Sequence, residues 1–341
     1  MSNTPHIKTL LLLALVLLIC FFISISLGSV SIPISDVFKS LSGGDLEKSS
    51  WDFIIQNYRL PKTITAMLVG SGLGVSGLLM QTLFKNPLAG PFVLGISSGA
   101  SLGVALLILG GTSLGIASAV LASHWSTTIA AGLGSLLVLA LVISVATRVK
   151  DTMALLIIGL MVGSITGAVV SILSYFSKAE ELQQYIFWSF GSLGDNSWEG
   201  LGVLGLCWFL GILLAIFTIK PLNALLLGDA YAQSIGIYIQ RSRLLIVIAT
   251  SLLAGSITAF AGPIAFIGLA IPHIVRQVIK TSQHAILIPA VMLTGAIVML
   301  ICDAIAQLPG SAYTLPINAI TSIIGAPVVI WLLIRKKKLI F

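Results

Sequence analysis

Leu225-Leu226-Leu227-Gly228-Asp229-Ala230-Tyr231-Ala232-Gln233-Ser234-Ile235-Gly236 is a short polar stretch, bounded by glycines, in a chain that otherwise runs from one apolar segment to the next. Lys220 and Pro221 precede it, and Arg241 and Arg243 close it. Its reading decides the fold, because a loop set among basic residues between two apolar runs belongs on the basic side of a membrane. A multi-span protein without a soluble domain or a catalytic motif must draw energy from a partner or from an ion gradient. An ordered polar loop on the basic side is a natural docking surface for the first option.

Composition supports the membrane setting. Of 341 residues 57% are hydrophobic and 9% charged, with a mean hydropathy of +1.10; soluble domains carry about 25% charged residues. The net charge of +7 sits in short loops and at the termini, where it orients spans against membrane lipid; no nucleic-acid partner is expected. Cys20, Cys207 and Cys302 lie inside apolar runs without metal-type spacing and read as small buried hydrophobes. No metal site is expected. The first apolar run continues to Val30 without a small-x-small cleavage site, which favours a retained span over a signal peptide.

A bilayer-crossing helix needs about 20 mostly apolar residues. That rule predicts spans near 9–30, 63–83, 92–110, 124–147, 153–176, 199–219, 243–262, 263–280, 284–307 and 315–334, with residues 220–242 as a loop. Pro263, Pro272, His273 and Arg276 interrupt the eighth. Ten spans place both termini on one side. With that side cytoplasmic, 13 of the 18 basic residues lie inside, leaving Lys39, Lys48, Arg59, Lys62 and Lys178 outside. Only Asp151 and Asp229 among the acidic residues fall inside. This asymmetry is the pattern expected of a ten-span membrane protein with both ends cytoplasmic.

Glycines recur every fourth residue at Gly95, Gly99 and Gly103, again at Gly159, Gly163 and Gly167, and at Gly70 and Gly74. Such stripes let helix backbones approach closely. Ala89-Gly90-Pro91 opens the third span and Ala261-Gly262-Pro263 the eighth, one inside and one outside. This echo is the expectation of two inverted repeats of five spans.

Four stretches resemble one family when taken in order. They are Arg59-Leu60-Pro61-Lys62; Gln81-Thr82-Leu83-Phe84-Lys85-Asn86-Pro87-Leu88-Ala89-Gly90-Pro91; Gly262 through His273 with Arg276 beyond it; and Leu315-Pro316 through Gly325-Ala326-Pro327 to Trp331. The chain is similar to the permease subunits of bacterial ABC importers for vitamin B12, ferric siderophores and haem. The resemblance implies an all-α integral protein of the bacterial inner membrane, of ten helices, that pairs with a second permease subunit as a homodimer. Two cytoplasmic ATPase subunits, which would bind ATP and Mg, and a periplasmic or lipid-anchored binding protein complete such a machine.

Roles for particular residues follow from the same resemblance. The loop between spans six and seven implies an ATPase-coupling segment, with Gly228, Asp229, Ala232, Gly236 and Arg241 at the contact and the small residues permitting close approach. Arg59 and Lys62 match an outer basic pair that meets the binding protein. A third basic position of some relatives is Gln307 here. Asn86 and Leu88 match an inner gate, with Asp151, Thr152 and Met153 in the second gating loop; Asn86 also suits a helix cap. Trp188, Gly191 and Ser192 fall in an outer gating segment, and Trp188 equally suits an interfacial aromatic belt.

Rival classes are open to the same test. Ion-coupled secondary transport needs an ionisable group within the membrane, and Asp303 is the one carboxylate inside a predicted span. Gly74-Val75-Ser76-Gly77 resembles an intramembrane serine motif but has no companion oxyanion site. His273, with Arg276 three residues on, also fits relatives without haem, so no catalytic residue and no haem ligand is assigned. No Gly-x-x-x-x-Gly-Lys-Ser/Thr loop occurs, so ATP hydrolysis would belong to a partner. The cargo, whether siderophore, haem, cobalamin or molybdate, is set by the binding protein and is not written in this chain.

Overall fold

The computed structural model describes residues 4–44, 46, 48–111, 115, 123–146, 152–311 and 313–334. The elements among them are helical. In chain order they are α1 (Thr4–Ser26), α2 (Ile34–Leu41), α3 (Ser49–Ile54), α4 (Leu60–Leu83), α5 (Ile96–Ile108), α6 (His124–Ala146), α7 (Thr152–Phe176) and α8 (Ala179–Ser189). There follow α9 (Trp198–Phe217), α10 (Ile219–Leu226), α11 (Asp229–Ser234), α12 (Ile239–Ala261), α13 (Ile267–Val278), α14 (His284–Ala306) and α15 (Ile317–Ile334). A π turn, Ile55–Arg59, joins α3 to α4, and a 3-10 turn, Pro91–Leu94, precedes α5.

Seven helical stretches are long and apolar enough to cross a membrane: α1, the continuous α3–α4, α6, α7, α9, α12 and α14. The predicted spans 92–110, 263–280 and 315–334 each hold a helix too, but a shorter one. α5 has 13 residues and α13 has 12; at 1.5 Å per residue each covers only about 20 Å, against a hydrocarbon core of about 30 Å. Proline at 91 and 263 sits in the stretch that precedes each helix. Gly95 at φ 76° then starts α5, and Phe266 at φ 64° starts α13. The two Gly-Pro echoes thus share a left-handed residue at the helix start, reached through a 3-10 turn before α5 and through non-helical chain before α13.

Hydrogen bonds and ion pairs sort the helix ends into two groups. At one end the finish of α4 meets the starts of α14 and α10, through Thr82, His284 and Asn223, and His273 near the finish of α13 meets Pro87. At the other end the start of α4 meets the finishes of α1 and α14, through Arg59 and Lys62. The finish of α12 there meets the segment after α8, where Ser192 N–H donates to Ala261 O at 2.9 Å. The first end carries Lys85, Asp229 and Arg243 and is called the basic end below.

α4 is the buried axis, packed by α14, α12, α13 and α9. It can be central because it is thin. A Cβ on Gly70 would lie 2.1 Å from Gly295 O of α14, and one on Gly77 would lie 1.6 Å from Gly268 O of α13. Both distances are inside atomic contact, so the helices touch backbone to backbone. The predicted stripe on α5 is used in the same way: Gly99 and Gly103 face Gly134 O and Ala130 O of α6. On α7 only Gly159 makes such an approach, to Val93 O, while Gly167 faces open space.

Gly70→Ala and Gly77→Ala should therefore push α4 off its neighbours at a cost of about 1–3 kcal/mol each. Gly132→Ala and Gly202→Ala, where an added Cβ would meet nothing within 4 Å, should be neutral. Thermal unfolding of the purified protein in detergent separates the two pairs.

Candidate functional site

At the basic end, α10 and α11 form a helical hairpin before α12. Gly228 (φ 109°) and Gly236 (φ 82°) adopt backbone angles that glycine accepts without strain, and each faces open space. Their small size serves the two turns. Ala232, predicted as a partner-facing contact, is fully buried beneath α11. The outward face is carried by Leu227, Tyr231, Ile235 and Tyr238, the last 73% exposed. Leu227 caps the finish of α10, Tyr231 lies on α11 and Ile235 caps its finish, so these apolar residues are exposed on both sides of the turn at Gly228. Their recurrence every fourth residue within a polar loop was the signal available in the sequence. Arg241 lies over the Tyr238 ring, 5.2 Å from its centroid. Asp229 stands between two cations: Arg243 Nη2 at 2.6 Å and Lys85 Nζ at 3.7 Å.

The inner loop follows α4. Asn86 Oδ1 accepts the N–H of Leu88 at 2.9 Å, so Asn86 shapes its own turn and does not cap the next helix. Leu88 projects outward and is exposed. His273, buried on α13, contacts Pro87 O through Nε2 at 2.7 Å, which places the imidazole as a brace for the loop. Met153 is exposed near the start of α7. Asp151 lies outside the described residues, and Thr152 is placed only as the first residue of α7.

At the opposite end, Trp188, Gly191 and Ser192 sit against the elbow between α12 and α13. A Cβ on Gly262 would lie 2.9 Å from both Gly191 Cα and Trp188 O. Asn318, at the start of α15, donates its N–H to Phe190 O at 3.1 Å and accepts from Ala265 N at 3.0 Å. Three elements therefore meet backbone to backbone at a single break in the helical path.

The predicted outer basic pair is engaged within the chain. Arg59 donates from Nη1 to Ile25 O (2.7 Å) and Ser26 O (2.9 Å), and from Nη2 to Val30 O, so it caps the finish of α1. Lys62 Nζ lies 3.0 Å from Asp303 Oδ1, and Gln307 Nε2 donates to Asp303 Oδ2 at 2.7 Å. Asp303 is buried on α14. Sequence reading singled out both partners without joining them, because nothing local links α4 to α14. Among the described residues no cluster of His, Cys, Asp or Glu is placed to hold a metal ion.

Comparison with known proteins then places the chain. Residues 16–335 match the FecCD transport family. The chain belongs to that family. It is 37% identical over 330 residues to the vitamin B12 import system permease protein BtuC of Klebsiella pneumoniae subsp. pneumoniae, covering 95% of this chain and 93% of that protein. It is 34% identical to the hemin transport system permease protein HmuU of Yersinia pestis, covering 94% and 95%. A solved metal-chelate type ABC transporter in an inward-facing conformation superposes with a TM-score of 0.82 at 31% identity, covering 96% of this chain and 99% of that one.

In this FecCD-family chain the Lys62–Asp303 pair is a structural tie. Breaking a buried pair by removing one partner typically costs about 3–5 kcal/mol, whereas replacing both by apolar groups is often neutral. Lys62→Met is expected to lower the thermal midpoint in detergent, and Lys62→Met/Asp303→Leu to recover most of the loss. A Lys62 that served only to meet another protein would leave the midpoint unchanged in the single variant.

Proposed function

We propose that this chain is the membrane permease of an ATP-driven importer, working as a homodimer with two ATPase subunits and an external binding protein. The observation that carries the reading is the apolar row Leu227, Tyr231 and Ile235, exposed on a hairpin at the basic end of a FecCD-family fold. Charged residues surround this row, and a polar rim around an apolar centre is how a protein contact is built. The cargo class suggested by the relatives' names is cobalamin or an iron complex, haem or siderophore.

In this reading ten helices cross the bilayer, the short α5 and α13 included, and both termini face the cytoplasm. The alternation of helix ends between the basic and opposite groups supports ten crossings, and the matching elbows before α5 and α13 support two inverted five-helix repeats. Asn86, Leu88 and the Asp151–Met153 segment form the inner gate; Trp188, Gly191 and Ser192 form the outer one. The binding protein meets the rim around Arg59, while Lys62 supports that rim through Asp303. An ion-coupled mechanism is less well supported, since the carboxylate it would use is tied to Lys62 and Gln307.

Two measurements test this. A reporter fused after Phe341 should be active only in its cytoplasmic form. The Tyr231→Asp/Ile235→Asp variant should insert normally yet lose at least about tenfold of its ATPase-subunit binding, since hot-spot losses commonly reach about 2 kcal/mol. Full ATPase recovery on affinity purification of that variant would show that the power enters elsewhere.

A further inference from the structure

We propose that Asn223, His284 and Thr82 are positioning residues that lock the coupling hairpin to the inner gate loop, so that the two move as one body. The inference rests on the permease reading above and goes beyond it by naming the link.

The network is built from three elements. Asn223 lies on α10, His284 opens α14 and Thr82 is in the last turn of α4. Asn223 Oδ1 accepts from His284 backbone N at 3.0 Å and from His284 Nδ1 at 2.7 Å. A backbone N–H can only donate, so the atom facing it is the amide oxygen and Nδ1 carries a proton toward it. His284 Nε2 meets Thr82 Oγ1 at 2.9 Å. Both His284 and Thr82 are fully buried.

This arrangement is a helix cap supplied from another helix. The first N–H groups of a helix lack partners within it, and Gln283, the residue before α14, makes no side-chain cap bond. Asn223 fills that place from α10. The hairpin therefore cannot shift relative to α14 without exposing a buried N–H and a buried imidazole, which unmade bonds in the interior penalise heavily.

A second grip lies at the rim. Past Thr82 the chain turns tightly, with Lys85 N–H reaching Thr82 O and Asn86 N–H reaching Gln81 O. Lys85 takes the left-handed conformation at φ 48°, a position where glycine is usual. Its ammonium reaches Asp229, the first residue of α11. Asn86 and Leu88 follow directly. A displacement of the hairpin thus reaches the gate loop through Thr82 from within and through Lys85 at the surface.

The test uses the assembled transporter with its ATPase subunits in nanodiscs. Cys20, Cys207 and Cys302 are replaced by alanine and Leu88→Cys is introduced. The rate of Leu88→Cys modification by N-ethylmaleimide is compared without nucleotide and with ATP, Mg and vanadate. The parent should respond by at least about fivefold, the low end of typical coupling between sites. His284→Ala and Asn223→Ala should hydrolyse ATP to within about twofold of the parent, the scatter of independent sites, yet lose the labelling response. Asn223→Asp, which keeps both acceptor positions, should restore it. Should His284→Ala fail to assemble, Asn223→Ala decides; Lys85→Gly, whose backbone suits glycine while the ion pair is lost, should lower the response by removing the surface grip alone. An undiminished response in His284→Ala, or in Asn223→Ala when His284→Ala does not assemble, overturns the inference. Absence of any ATPase subunit on the parent would count instead against the permease reading.

Discussion

The rest of the structure depends on how closely two backbones can approach α4. In a bilayer no hydrophobic force drives helices together, so association relies on van der Waals packing and hydrogen bonds between helices. Gly70 against Gly295 and Gly77 against Gly268 give α4 that packing at two levels. The lower contact does more than join two helices. Gly268 also faces Pro91 Cδ, where an added Cβ would lie at 2.7 Å, and Leu73 O at 2.8 Å. The elbow before α5 and the start of α13 therefore meet on α4 itself. Both short helices owe their position to that one thin surface.

Much of this was legible in the sequence, because hydropathy alone reports where a helix can sit in lipid. The helices near 63–83, 124–147 and 284–307 lie where the apolar runs placed them. The lengths of α5 and α13 were less legible. Apolar residues continue through Gly90–Leu94 and Pro263–Phe266, yet a left-handed residue, Gly95 or Phe266, separates them from the α-helix that follows. Hydropathy measures burial cost and is blind to that backbone choice. The glycine stripes were read correctly on α5 and only in part on α7, since spacing shows that a face is thin without showing what lies opposite.

The candidate site was legible as segments and much less as contacts. The hairpin, the loop after α4 and the segment after α8 each form a distinct local structure. What the residues do there depends on partners far along the chain. Ala232 looked like a contact because it is small in a polar loop; the same smallness lets it lie under α11, leaving Tyr231 and Ile235 outside. Arg59 and Lys62 were expected from the resemblance to meet a binding protein. The carbonyls at the finish of α1 and the buried carboxylate of Asp303 engage them within the chain. A side chain with several donors near helix ends is drawn to such groups before it is available to another protein.

The two ends of the molecule consequently differ in kind. The end opposite the basic one is fastened by Lys62–Asp303, by the Arg59 cap and by the Gly191–Gly262 contact, each of which holds a helix terminus in place. The basic end instead joins a surface hairpin to the loop after α4 through side chains that bridge three helices. α7 adds a different asymmetry. It is mostly unburied, from Met153 to Phe176, and the hydroxyls of Ser164 and Ser171 on it bond back to Leu160 O and Gly167 O. Those two hydroxyls make no demand on what lies outside, so the face accepts an apolar neighbour. Among the described residues one flank of the fold is thus tied at both ends to α4, while α7 packs on α5 instead.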